Sequence, residues 1–191
     1  MPLRKVAILN FLIIRPQAEG ERMVKGLLGG SFFRAGEVSP RARSAVMTSF
    51  YRKLLGLGRC EVIPVDRSTA AVAGKDPIAF RQDPLGEAVR MGKQLDVHAV
   101  VIGGVYRFEQ RQGSALGVEK AASVAFDAHL IRVDDKRVIW SGRFDETQRS
   151  LSENLLKVST FVKGGGQWVT AEKLTAIGIE SILRTFPLLT L

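Results

Sequence analysis

The stretch Val124-Ala125-Phe126-Asp127-Ala128-His129-Leu130-Ile131-Arg132-Val133-Asp134-Asp135-Lys136-Arg137-Val138-Ile139-Trp140-Ser141-Gly142-Arg143-Phe144 decides the fold. Two runs of β-branched and aromatic residues flank Asp134-Asp135-Lys136, a short polar turn. This predicts a β-hairpin, with strands over 118–133 and 137–147. On one face Val124, Phe126 and Leu130 meet Val138, Trp140 and Phe144.

Upstream, residues 97–108 carry Val100, Val101, Ile102 and Val105 and predict a third long strand. Arg4 to Ile14 is nearly continuously apolar, as in a strand covered on both faces. Between these lie helical signals. Ser39-Pro40 reads as an N-cap followed by proline at the first helical position. Val46, Met47, Phe50, Leu54 and Leu57 recur at helical spacing, and Gly56 and Gly58 end the run. Residues 61–65 read as a short strand. Asp83-Pro84 opens a second helix with Leu85, Ala88, Val89, Gly92 and Leu95 inward. Residues 16–40 are irregular and glycine-rich, with a short helix predicted around 21–28. Downstream, a short helix is expected over 150–158, a flexible break at 163–166 and a final helix over 170–186, apolar at Leu174, Ile177, Ile182, Leu183 and Phe186.

The order predicts an α/β fold of α+β character. It is a single mixed sheet of about five strands with helices packed on it, βαβ-type in its first half and an antiparallel hairpin in its second. One domain over 1–191 is expected, with a core over 4–147 and a helical extension over 148–191.

The chain has 191 residues and a formal net charge of +9. Its 46% hydrophobic and 25% charged content exclude a disordered tail, and one cysteine excludes an intrachain disulfide and a multi-cysteine zinc site. Residues 1–60 hold eleven basic and three acidic side chains, whereas residues 61–191 hold 17 and 16. The basic excess is therefore local. It centres on Arg15, Arg22, Lys25 and Arg34 in the irregular segment, with Phe32 and Phe33 among them, and on Arg41, Arg43, Arg52 and Lys53 along the first helix. These ten residues are the candidate interaction patch, read as one basic face turned towards an acidic protein or an anionic envelope polymer or lipid. Leu27-Leu28 with Phe32-Phe33 suggest an apolar docking loop.

Catalytic signatures are weak. The chain contains no Walker loop, no dinucleotide-binding glycine fingerprint and no GxSxG elbow. Asp127 and His129 share a strand face, where the carboxylate could orient the imidazole as a general base. Ser123, the hydroxyl considered with them, lies roughly 13 Å from Asp127 along an extended strand. The pair is read instead as a solvent-facing polar stripe, His98 as a core or edge histidine, and Cys60 as a packed thiol. No catalytic residue, metal or cofactor is assigned.

Several segments resemble one group of bacterial envelope domains. Arg4-Lys5-Val6-Ala7-Ile8-Leu9-Asn10-Phe11 is similar to their opening strand, and Arg59-Cys60-Glu61-Val62-Ile63-Pro64 to the strand after their first helix. Leu95 to Val105 resembles a further segment of theirs, and Ala128 to Asp134 with Val138 to Ser141 their hairpin. The group contains the amino-terminal domain of TolB, the lipoprotein activators of penicillin-binding proteins and the curli secretion channel subunit. The resemblance runs over residues 4–147. It implies a non-enzymatic, periplasm-facing accessory domain that works by contact with envelope proteins or with itself. Members are typically tethered by a lipidated cysteine after a signal peptide. This sequence shows no lipobox and its Cys60 sits inside the domain, so either it is a mature portion, outer-membrane-tethered only through an anchor outside it, or this member is not lipidated. A chain natively starting at Met1 would instead be cytoplasmic. The alternatives are a basic cytosolic nucleic-acid-binding module, whose binding would fall steeply with salt, and a weak hydrolase using Asp127 and His129.

Overall fold

The computed structural model describes residues 4–73, 77–113, 118–148 and 169–187. Its centre is a five-stranded sheet of order β4-β1-β5-β8-β9. The strands are β1 (Lys5–Ile13), β4 (Glu61–Val62), β5 (Ala99–Glu109), β8 (Ser123–Arg132) and β9 (Val138–Thr147). β1 runs parallel to β4 and β5, whereas β8 is antiparallel to β5 and β9. The mixed sheet inferred from the sequence is therefore present, with its parallel half first and its hairpin last.

Helices cover one face. α1 (Ala42–Gly56) buries Ala42, Val46, Met47, Phe50 and Leu54, and α5 (Ala171–Leu183) buries Leu174, Ile179, Ile182 and Leu183. Both pack on Val6, Ile8, Phe11, Val124, Phe126, Leu130, Trp140 and Phe144, forming the larger core cluster. Trp140 meets Phe186 edge-on, with ring centroids 5.0 Å apart. The other face is covered in two parts. At one end α4 (Pro84–Gln94) and Phe80 of α3 (Pro77–Gln82) pack on Leu9, Ile102 and Ile131. At the other end lies a small hairpin of β2 (Met23–Lys25) and β3 (Phe32–Arg34).

Several local expectations are corrected. Residues 23–25 are strand, not helix. The Gly29-Gly30 turn, with both glycines at positive φ, returns the chain so that Val24 pairs Phe33. Ser39 does not cap α1: its N–H bonds the Phe108 carbonyl at 3.2 Å, holding this backbone against β5, and the helix begins at Ala42. Leu57 is exposed, beyond the helix and just before the left-handed Gly58. The 61–65 strand shrinks to β4 because Pro64 lacks an N–H, and α2 (Val65–Val72) starts directly after it. The long 118–133 strand divides into β7 (Val118–Lys120), paired with β6 (Gln112–Gly113), and β8. Val138 is 41% exposed because a register shift at Leu130/Ile131 turns it out of the face shared by Trp140 and Phe144.

Asp83 caps α4 through Gly86 N–H at 2.8 Å, as its position before Pro84 implied. Thr170 likewise caps α5 through Lys173 N–H. The expected helix over 150–158 and break at 163–166 lie outside the described residues. No helix among the described residues is long and apolar enough to cross a membrane.

Candidate functional site

The ten patch residues do not form one face. Arg41, Arg43 and Arg52 stand exposed along α1, on the helical side of the sheet. Arg22, Lys25, Phe32 and Arg34 stand exposed on the β2–β3 hairpin, on the opposite side. Arg15 is exposed just after β1, beside a cleft of about 770 Å³ bordered by Glu37, Glu109 and Lys120. Lys53 turns to Glu180 of α5 at 2.8 Å. Phe33 is fully buried, so it underpins the hairpin and offers no surface. Leu27 and Leu28 are half-buried against the α4-side cluster.

On the helical side, Arg41, Thr48, Arg52 and Leu55 follow one exposed stripe of α1. Leu55 is 50% exposed. Where α1 ends against α5, a cleft of about 340 Å³ is lined by Leu57 and Leu183, with Lys53, Arg59, Arg184 and Glu180 around it. Sequence reading could not place this cleft, because α5 lies more than 110 residues from α1.

On the hairpin side, a buried polar cluster fixes the hairpin to the sheet. Tyr106 Oη accepts the Leu27 N–H at 2.8 Å and donates to Asp127 Oδ2 at 2.7 Å, while Asp127 Oδ1 accepts the Gly104 N–H at 2.8 Å. Burial, reinforced by the neighbouring Asp127 carboxylate, pushes the Tyr106 phenol far up, so it remains a donor. The Phe33 ring stacks on Tyr106 at 3.9 Å with a 4° interplanar angle. The Arg143 guanidinium lies 4.3 Å above the centre of the Phe33 ring and donates to the Phe32 carbonyl at 2.7 Å. Gly26 belongs here because a Cβ at that position would come within 3.2 Å of Asp127 Oδ2 and 3.3 Å of the Phe33 ring.

Asp127 and His129 are 4% and 9% exposed, so the solvent-facing stripe is corrected to a covered polar seam. The covering hairpin is about a hundred residues away in sequence. A bulge in β5 between Val105 and Arg107 lets both Tyr106 and Arg107 reach this side. Arg107 donates to Ser123 at 2.5 Å, to the Arg34 carbonyl at 2.8 Å and to Asp145 at 2.7 Å. Its buried charge is thereby paired and its fork occupied.

The structure also supplies the hydroxyl that the sequence reading lacked. His129 Nδ1 is 2.8 Å from Ser141 Oγ on the neighbouring strand, while its Nε2 lies 3.2 Å from Asp127 Oδ2. That second contact has ion-pair distance without hydrogen-bond alignment, leaving Nε2 without a hydrogen-bond partner. Asp127 is committed to Tyr106 and Gly104, so it fixes the hairpin in preference to orienting the imidazole. Residues 128–130 and 140–142 are paired strand backbone, which does not converge two free N–H groups on Ser141 as acyl transfer requires. His98 accepts the Lys5 N–H through Nδ1 at 3.2 Å, at the start of the interior strand β5. Cys60 is buried and its thiol is pushed up to about 11 by that burial, which keeps it unreactive at neutral pH.

No protein-family model matches the chain, and no curated protein matches it by sequence. Solved structures do. The PelC dodecamer from Paraburkholderia phytofirmans superposes with a TM-score of 0.51 at 15% identity, over 94% of this chain and 84% of that one. Lipoprotein GNA1162 from Neisseria meningitidis gives 0.46 at 13% identity, over 85% and 98%. The LpoB C-terminal domain from Salmonella enterica gives 0.44 at 14%, over 78% and 85%. At these identities the likeness is one of fold alone, and the PelC superposition carries it.

Proposed function

We propose that this chain is a non-enzymatic accessory module of the bacterial envelope, facing the periplasm at the outer membrane and working through protein contact. The observation that carries this reading is the α1 surface. An exposed basic stripe with Leu55 leads into a cleft lined by Leu57 and Leu183 together with Lys53, Arg59, Arg184 and Glu180. Such a surface suits a partner segment with an apolar anchor flanked by carboxylates. PelC forms a dodecamer, which makes a second copy of this chain one partner to test.

The test is crosslinking in intact cells, comparing the native chain with Arg41→Glu/Arg52→Glu and Leu57→Asp. Loss of the same crosslinked species in both variants, with the protein recovered in the envelope fraction, supports the reading. Recovery in the cytosol, or crosslinks indifferent to both variants, counts against it. The Ser141–His129 contact keeps a hydrolase as the second reading. Covalent labelling of Ser141 by a fluorophosphonate would favour that reading over the contact module.

A further inference from the structure

We propose that the outer face of the β2–β3 hairpin is a contact site for an anionic phospholipid surface, separate from the α1 face and independent of the partner reading above. The inward side chains Val24 and Phe33 are buried. That leaves Met23, Lys25, Phe32 and Arg34 pointing outward, paired Met23 with Arg34 and Lys25 with Phe32 across the ribbon. Phe32 is 58% exposed and Met23 46% exposed, an unusual setting for large apolar side chains at diagonal positions of a two-stranded ribbon. Apolar and cationic residues thus alternate on a surface two strands wide. That arrangement lets the apolar groups enter the acyl boundary while the cations meet headgroup phosphates.

Charge complementarity favours an anionic occupant. No Asp or Glu occurs from Arg22 to Gly36. Of the flanking carboxylates, Glu21 accepts the Gln17 N–H and Glu37 pairs with Lys120 at 3.4 Å, while Glu19 lies outside the ribbon. Size favours a lipid over an acidic protein. A stable protein interface takes about 20–30 residues a side, whereas the ribbon presents four outward side chains with Arg22 beside them. A bilayer sets no such minimum, because each basic group near an anionic surface strengthens binding roughly fivefold on its own. The ribbon is also pre-positioned: the Tyr106, Asp127 and Arg143 bonds hold it from beneath, so its outward groups are displayed without an ordering cost.

Sedimentation of the full chain with vesicles tests this. The probes are phosphatidylglycerol/phosphatidylethanolamine vesicles, pure phosphatidylcholine vesicles and a poly-glutamate peptide. The expected result is binding to the anionic vesicles alone, weakening with salt. Phe32→Ser should lower it roughly tenfold and Lys25→Glu/Arg34→Glu more than about 25-fold, with circular dichroism unchanged. Arg41→Glu/Arg52→Glu should bind vesicles like the native chain, even where it loses protein crosslinks. Absence of vesicle binding at low salt overturns the proposal. So does binding that ignores Phe32→Ser while poly-glutamate binds equally, which would make the hairpin a general polyanion surface. Loss on reversal of the α1 charges would move the membrane contact to the other face and overturn it as well.

Discussion

Removing a single oxygen atom tests whether the buried seam holds the hairpin to the sheet. Tyr106→Phe keeps the ring that stacks on Phe33 at 3.9 Å and deletes only the hydroxyl. Two bonds go with it, one from the Leu27 N–H and one to the Asp127 carboxylate. The bond to a charged acceptor contributes about 1.5–3 kcal/mol, and an orphaned buried N–H adds about 1 kcal/mol. The expected loss is therefore about 3 kcal/mol, or about 6–12 °C in Tm for a chain of this size. Equilibrium urea unfolding followed by tryptophan fluorescence measures the global loss. Hydrogen exchange at the Leu27 amide measures the local one, and its protection should fall furthest. If the variant is within about 0.5 kcal/mol of the native chain and Leu27 protection is unchanged, the seam does not anchor the hairpin.

Other outcomes follow from the same geometry. Tyr106 has its folded pKa raised above its unfolded value, so its contribution is intact below about pH 10 and is lost as pH rises further. The slope is about 1.4 kcal/mol per pH unit, absent in Tyr106→Phe and measured in a Cys60→Ala background. The background matters because Cys60, raised from 9.0 to about 11, loses stability with the same sign between those values. In the native chain Cys60 should react with a disulfide reagent at pH 8 at least about a hundredfold more slowly than in urea, as followed by absorbance. Gly103→Ala places a Cβ 2.3 Å from the Asp127 carbonyl oxygen and from the Phe11 ring, and should cost more than about 3 kcal/mol or abolish soluble expression. Arg107→Met removes the donor of the Arg34 carbonyl and leaves Asp145 with Arg143 alone at 3.3 Å, and should cost about 1–3 kcal/mol in urea unfolding.

The central strands and the two capped helices were legible because their signals are local. β1, β5 and β8 are apolar runs, and Asp83-Pro84 and Thr170 mark helix starts within a few residues. The β2–β3 hairpin was not legible. Its strands are three residues each, too short for alternation to show, and Gly29-Gly30 was the one usable turn signal. The polar seam failed for a different reason. Strand period places Asp127 and His129 together, but whether that face meets water depends on a hairpin about a hundred residues earlier. The β5 bulge that brings Tyr106 and Arg107 to one side has no marker in Val105-Tyr106-Arg107. Ser141 escaped because cross-strand register, not spacing along one strand, puts it beside His129. The division of the basic residues into two opposed surfaces was hidden for the same reason, since a count of charges carries no sidedness.

α5 closes the α1 side of the sheet from the far end of the chain. Until residues 171–183 are available, Trp140, Phe144 and the inner side of α1 lack the Leu174, Ile179 and Ile182 contacts that bury them. Residues 42–147 emerging from the ribosome therefore carry an open aromatic surface until α5 follows them. Such a surface recruits holding chaperones and delays cooperative closure.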